Sequence, residues 1–347
     1  MRRVLSNVIA INLFFFTILL VFQPQFTLLG AAKEVEISSS KAECVMELNS
    51  RRILYENHGE LRLPMASTTK IATAITALTL CENVINRQTT IPDIAEGVEG
   101  SSVYLKSGDV YTIEDLLYGL MLRSGNDCAV ALALSFTDNI AEFCAKMNET
   151  AKKAGALDSN FRNPHGLPCE NHYATARDLS LIACYALENP IFRQIVATQY
   201  YQPRHWKNKN KMLFNYTGAI GVKTGYTKES GRCLVTAAEQ NGMTLVCSVL
   251  NSPMMYERSA QLLDDAFRAY TYTKLASKED IFILPNGKQA IKACIKEDVY
   301  YPLMQGEEEG IEIRVLPLKY TAKGEIVGQI QISLAKRLLF SGNLYKL

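Results

Sequence analysis

Two short runs, Ala42–Leu48 and Arg51–Asn57, flank Asn49-Ser50 and predict a β-hairpin. Beyond Pro64, apolar residues recur at Ile71, Ala74, Ile75 and Leu78, the offsets of one helical face, so a helix is expected to start near Ser67. Ile113–Leu122 and Ala129–Phe136 carry the same period, with Ser124-Gly125-Asn126 between them. Residues 139–154 and 175–188 are helical in pattern again, separated by a polar loop around Asn163-Pro164-His165-Gly166. The pattern then switches. Ala219–Thr224, Arg232–Glu239 and Met243–Leu250 read as strands, with Gln240-Asn241-Gly242 as the turn between the last two. A helix from about Tyr256 to Tyr270 follows. This order predicts an α+β fold, in which one antiparallel sheet packs against helices and the N-terminal hairpin joins the later strands. From about Ser277 the texture becomes all-β. Ile311–Leu316, Glu325–Leu334 and a last run from Arg337 have strand character, and Asn286-Gly287 and Lys323-Gly324 mark turns.

Composition adds limits. A chain of 347 residues, 48% hydrophobic and 21% charged, suggests about two globular domains. The formal net charge of +2 and the lack of a basic stripe argue against nucleic-acid binding. The N-terminus stands apart. Arg2 and Arg3 precede an apolar run from Val8 to Phe22, and the small cluster Gly30-Ala31-Ala32 follows. This is the pattern of a secretory signal peptide cut near Ala32. The alternative is an uncleaved anchor, with Phe26–Leu29 extending the run, which would give membrane association through the N-terminus. The expected division is a signal peptide at 1–32, a main α+β domain at 33–275 and a small β-domain at 276–347.

There are nine cysteines, an odd number, and no pair is spaced C-x-x-C, so a zinc or thioredoxin-type site is not expected. Cys128, Cys184 and Cys247 sit in apolar stretches, where cysteine behaves as a small buried hydrophobe. Free thiols on an exported protein would suit a cell living without oxygen.

Three short motifs carry candidate chemistry in a fixed order: Ser67-x-x-Lys70, Ser124-Gly125-Asn126 and Lys223-Thr224-Gly225. Singly each has an ordinary explanation: a capped helix start, a turn, the end of a strand. Together, each falls on the element that its chemistry needs. Ser67 at a helix start sits near the positive end of the helix dipole, and Lys70 shares its face. A serine hydroxyl becomes nucleophilic only when a base takes its proton. Lysine serves only when neutral, so burial or a nearby cation must lower its pKa, and Lys223 can be that cation. Ser124 can relay a proton to a leaving group, and Asn126 can hold Lys70 and a substrate backbone. The strand bearing Lys223 and Thr224 offers a charge and a hydroxyl to a terminal carboxylate. Gly225 leaves its edge open to an extended peptide.

Other catalysts fit worse. The chain has no G-x-S-x-G elbow and no H-E-x-x-H helix, and Val222 stands where a phosphate loop needs glycine. His165 and His172 leave a Ser-His-Asp triad open, although loop histidines over a cleft are the simpler reading.

The stretch Pro64–Ile71, together with Gly100–Leu105, Glu114–Asp127 and Gly221–Thr227, resembles the low-molecular-mass penicillin-binding proteins, the D-alanyl-D-alanine carboxypeptidases. The resemblance covers nearly the whole chain after residue 32, including a C-terminal β-domain. It implies the fold of serine β-lactamases and D,D-peptidases. It also implies an oxyanion hole built from the backbone N–H groups of Ser67 and Tyr226, and an arginine at Arg258 that helps hold the substrate carboxylate. The implied reaction removes terminal D-alanine from peptidoglycan stem peptides through a Ser67 acyl-enzyme, is blocked by β-lactams and needs no metal or organic cofactor. Many members end in an amphipathic membrane helix, and no such pattern precedes Leu347. Two rivals are a serine β-lactamase and a wall-binding protein without catalysis. The first lacks a Glu-x-x-x-Asn motif between Ser124 and Lys223, since Glu170-Asn171 has the wrong spacing. The second is hard to reconcile with three intact motifs.

Overall fold

The computed structural model describes residues 40–81, 85–286, 289–318 and 326–347. The expected leader at 1–32, Gly287 and the Lys323-Gly324 turn lie outside them.

The main sheet has five antiparallel strands: β1 (Ala42–Glu47), β2 (Ile53–Asn57), β3 (Ala219–Thr227), β4 (Gly231–Gln240) and β5 (Met243–Leu250), in the order β2-β1-β5-β4-β3. The N-terminal hairpin therefore joins strands from far along the chain, with Ala42 opposite Leu250. Its Glu47 carboxylate accepts from the backbone N–H groups of Asn49 and Ser50, which fixes the tight turn.

Helices cover both faces. α1 (Lys70–Leu80), α2 (Ile113–Tyr118), α3 (Asn126–Phe136), α4 (Ile140–Lys153), α5 (Ala176–Leu187) and α6 (Pro190–Ala197) precede β3, and α7 (Met255–Ala269) follows β5. Cys44, Met46, Val235 and Val246 share one core with α1, α3 and α5, whereas Val45, Leu234, Cys247 and Val249 share another with Leu262 and Leu263 of α7. Burial on both faces explains why β5 is mostly apolar, broken only by Thr244 and Ser248, instead of alternating. Cys44, Cys128, Cys184 and Cys247 are free thiols with no exposure, and burial pushes the Cys44 thiol up to about 12.

Three details differ from the sequence expectation. Ser67 lies in a 3-10 turn, Ala66–Thr69, that runs directly into α1. The helix expected over Ile113–Leu122 widens after Tyr118 into a π turn, Gly119–Arg123, ending at Ser124 in left-handed backbone (φ 64°). α6 was not expected, although Asn189 accepts from the N–H groups of Ile191 and Phe192 with Pro190 beside it, a standard helix start. Among the described residues, no single helix is long and apolar enough to cross a membrane.

After α7 the chain is β-structure. β6 (Tyr270–Ala276) pairs with β9 (Val299–Met304). A second sheet combines β7 (Phe282–Asn286), β8 (Gln289–Cys294), β10 (Ile311–Pro317), β11 (Ile326–Leu334) and β12 (Arg337–Lys346) in the order β7-β8-β12-β11-β10. It has its own small core around Leu284, Ala293, Ile330, Ile332 and Leu344. Arg52 in the loop between β1 and β2 ties this part to the main sheet: it pairs with Glu307 at 2.6 Å and donates to the Pro302 carbonyl at 2.7 Å.

Candidate active site

The three motifs meet where the Ser67 turn, α3 and β3 converge. Ala66, just before Ser67, holds a left-handed backbone (φ 50°) that non-glycine residues seldom adopt, so the turn presenting Ser67 is under local strain. β3 passes very close to this turn. A Cβ on Gly225 would sit 3.0 Å from the Ser67 nitrogen and 3.0 Å from the Met65 carbonyl oxygen, so a side chain there would push the turn away by a few tenths of an ångström.

Lys70 is fully buried. Its Nζ lies 2.9 Å from Ser67 Oγ, 2.6 Å from Asn126 Oδ1 and 2.6 Å from the His165 carbonyl oxygen. The Asn126 amide is oriented by its other end, because Nδ2 donates to the Glu99 carbonyl. These contacts allow a donor count. A neutral amine has two N–H groups and one lone pair, and the two carbonyl oxygens can only accept. When Lys70 is neutral, these two oxygens take both N–H groups and its lone pair is left for the Ser67 hydroxyl, the arrangement that a general base requires.

The direction of the Lys70 pKa agrees with this count. Burial, then the nearby Lys223, hold Lys70 well below the ordinary lysine range, with a smaller contribution from Lys209. Lys223 is itself buried, and burial followed by Lys209 brings it down to about 7. Lys223 is thus the nearby charge that lowers Lys70 most after burial, and Lys209 is a third member of the group that the motifs did not disclose. Lys209 is exposed, but partial desolvation and then Arg123 lower it. It is flanked by two buried asparagines, with Asn208 Nδ2 donating to the Thr198 carbonyl and Asn210 Oδ1 accepting from Met212 N–H.

The loop that supplies the His165 carbonyl is built on Asn163, whose Oδ1 accepts from the N–H groups of His165 and Gly166. Thr73 of α1 donates to the Pro164 carbonyl, fixing the loop on the helix. Gly166 is left-handed (φ 94°), and a Cβ there would fall 1.9 Å from the Ala66 carbonyl oxygen. Burial brings His165 and His172 down to about 4. His172 Nε2 lies 3.0 Å from Thr69 Oγ1, and its Nδ1 accepts from Arg162 N–H. Neither ring hydrogen-bonds Ser67, so a triad does not form.

Ser124 is buried two residues before Asn126 and makes no hydrogen bond to Ser67, Lys70 or Lys223 among the described residues. Asp127 arranges the neighbouring wall: its carboxylate accepts from Ser102 Oγ and from the N–H groups of Val103 and Leu105. β3 is an edge strand, with Thr224 half-buried and Tyr226 65% exposed on it.

Arg258 is not in this site. Its guanidinium grips the fully buried Glu43 of β1 at 2.7 and 2.8 Å and Tyr55 of β2 at 3.1 Å. Those strands lie across the sheet from β3, roughly 14 Å or more away at the usual strand spacing. The arginine carried over by resemblance is instead held by an ion pair between α7 and β1. A cation nearer the site is Arg232, paired with Tyr226 and 5.8 Å from its ring centroid.

A family model described as D-alanyl-D-alanine carboxypeptidase matches residues 30–254. The chain belongs to this family. As a D-alanyl-D-alanine carboxypeptidase family member it is 28% identical over 346 residues to the carboxypeptidase DacF of Bacillus subtilis, covering 95% of this chain and 88% of that one. It is 33% identical over 238 residues to DacB2 of Mycobacterium tuberculosis, covering 64% and 80%. Among solved structures, penicillin binding protein 5 from Haemophilus influenzae superposes with a TM-score of 0.74 at 25% identity over 89% of this chain and 96% of that one. The α+β fold expected from the sequence is the fold of these peptidases.

Proposed function

We propose that this chain is an exported serine D-Ala-D-Ala carboxypeptidase with Ser67 as nucleophile. The observation that carries the reading is buried Lys70 Nζ, 2.9 Å from Ser67 Oγ with two carbonyl acceptors taking up its other contacts. In the proposed reaction, Ser67 Oγ attacks the carbonyl carbon of the penultimate D-alanine and its proton passes to Lys70 Nζ. The N–H groups of Ser67 and Tyr226 bind the oxyanion, and preorganised donors of this kind contribute about 3 kcal/mol each. Ser124 returns the proton to the departing D-alanine amine. Water then attacks the acyl-enzyme, with Lys70 again as base, and the stem peptide leaves.

The peptide adds along the β3 edge. Its terminal carboxylate meets Lys223, Thr224 and Lys209, a cluster that suits an anion. β-Lactams enter the same site and acylate Ser67. A β-lactamase reading is disfavoured because, among the described residues, no Asp or Glu hydrogen-bonds Ser67 or Lys70. Residues 33–275 would carry catalysis and 276–347 a separate β-domain. Residues 1–32 would direct export or anchor the protein.

Labelled penicillin tests this. Label should appear on Ser67 and vanish in Ser67→Ala, and the wild type should release D-alanine from a D-Ala-D-Ala peptide. Label on any other residue would sink the assignment.

A further inference from the structure

A groove of about 740 Å³ lies between the β1–β2 turn and the C-terminal β-structure. Its walls are Asn49 on the turn, Tyr272 on β6, Tyr300 on β9, and Phe340, Asn343 and Tyr345 on β12. The walls are tied together. Asn49 Nδ2 donates to Tyr272 Oη at 3.0 Å, and Arg52 holds β9 through the Pro302 carbonyl and Glu307. The groove is remote from the serine. Cys44 of β1 lies in the same cross-strand row as Lys223, and Asn49 is five residues further along, so the separation is roughly 20 Å at ordinary strand dimensions.

The lining has a definite chemistry. Tyr272 and Tyr300 stack at 5.2 Å, leaving Tyr300 38% exposed, and Lys296 covers the Tyr345 ring at 4.1 Å. The amides of Asn49 and Asn343 stand among these rings. Charge is balanced: Lys274 pairs with Asp298 at 2.6 Å, and Lys296 and Glu297 are adjacent. Such a surface offers little to an anion or a cation. It fits a neutral amphipathic ring, with C–H groups against the exposed part of Tyr300, which Tyr272 and Lys274 also contact, and hydroxyl and amide groups for the asparagines. Its volume falls in the range of roughly 300–1,000 Å³ typical of small-ligand sites.

We propose that this groove binds an N-acetylated glycan strand, the polymer on which the stem peptide is carried. The proposal rests on the peptidase reading for its biological sense and on the groove's own chemistry for its ligand. A strand held there keeps the enzyme on the wall while Ser67 samples successive stems, which raises the local peptide concentration without a new contact at the active site.

The test uses full-length protein already acylated with penicillin, so that the serine site is closed, titrated calorimetrically with tetra-N-acetylchitotetraose. Saturable binding is expected. Tyr300→Ala should weaken it at least tenfold, and Tyr300→Phe, which keeps the ring, should stay within twofold of wild type. Absence of saturable binding, or a Tyr300→Ala variant that binds as wild type, overturns the proposal. Turnover of a soluble D-Ala-D-Ala peptide is measured alongside and should be unchanged in Tyr300→Ala. Glycan binding by a wild type that never turns over peptide would end the enzymatic reading and leave the groove as a glycan site.

Discussion

The backbone carbonyl of His165 accepts a hydrogen bond from Lys70 Nζ at 2.6 Å across 95 residues of sequence. The lysine's orientation is thus set by a loop as well as by its own helix. Lys70→Arg tests the neutral-base role, because arginine stays charged when buried. Penicillin acylation should fall by at least about 100-fold, the scale of a lost general base. The melting curve should remain cooperative. Acylation near the wild-type rate would show that Lys70 takes no proton.

Gly166→Ala probes the same loop without touching a side chain of the site. The new Cβ collides with the Ala66 carbonyl in a left-handed backbone, so the His165 carbonyl must shift. A misplacement of about 1 Å can cost on the order of 100-fold in rate. Stopped-flow acylation should show that loss, and an unchanged rate constant would mean that the loop is passive.

The two lysines predict a bell-shaped pH profile. Lys70 must be neutral, so activity rises with pH as it loses its lowered proton. Lys223 must be charged to meet the carboxylate, and in the free enzyme it loses its proton at about 7. The falling limb of kcat/KM, which reports the free enzyme, should therefore lie near pH 7. The falling limb of kcat should lie higher, because a bound carboxylate stabilises the ammonium. Both limbs belong to the coupled pair of lysines. A kcat/KM that keeps rising to pH 10 would contradict the role of Lys223.

Arg258→Ala separates structure from catalysis. Losing one partner of a buried pair strands the Glu43 carboxylate, at a cost of roughly 3 kcal/mol in unfolding free energy. Urea denaturation should show that loss, while acylation of the still-folded protein stays within twofold of wild type. A selective rise in KM for the peptide with full stability would return Arg258 to the substrate site.

Much of this arrangement could be read from the chain. The hairpin, α1, α4, α5, the three later strands and α7 carry strong periodicity or continuous burial, and Ser67, Lys70 and Asn126 do come together. What escaped has physical reasons. The His165 carbonyl is a backbone atom, so no residue type announces it. Lys209 acts through space on Lys70 and Lys223, and local spacing does not report Coulomb coupling. The π turn depends on close packing: a Cβ on Gly119 would lie 2.6 Å from Cys128 Sγ and 3.2 Å from the Trp206 ring. Arg258 was misplaced because an arginine on a helix has no sequence mark that says which strand it faces.

The pairing of Ala42 with Leu250 also bears on how the chain folds. β1 is synthesised early, yet its central partner β5 comes some two hundred residues later. Until then it has only β2, and a lone two-stranded ribbon is marginal in water. The sheet that carries Lys223 therefore cannot close until the helical segment between β2 and β3, and then β3 to β5, have been made. Such high contact order slows folding and prolongs exposure of the edges of β1.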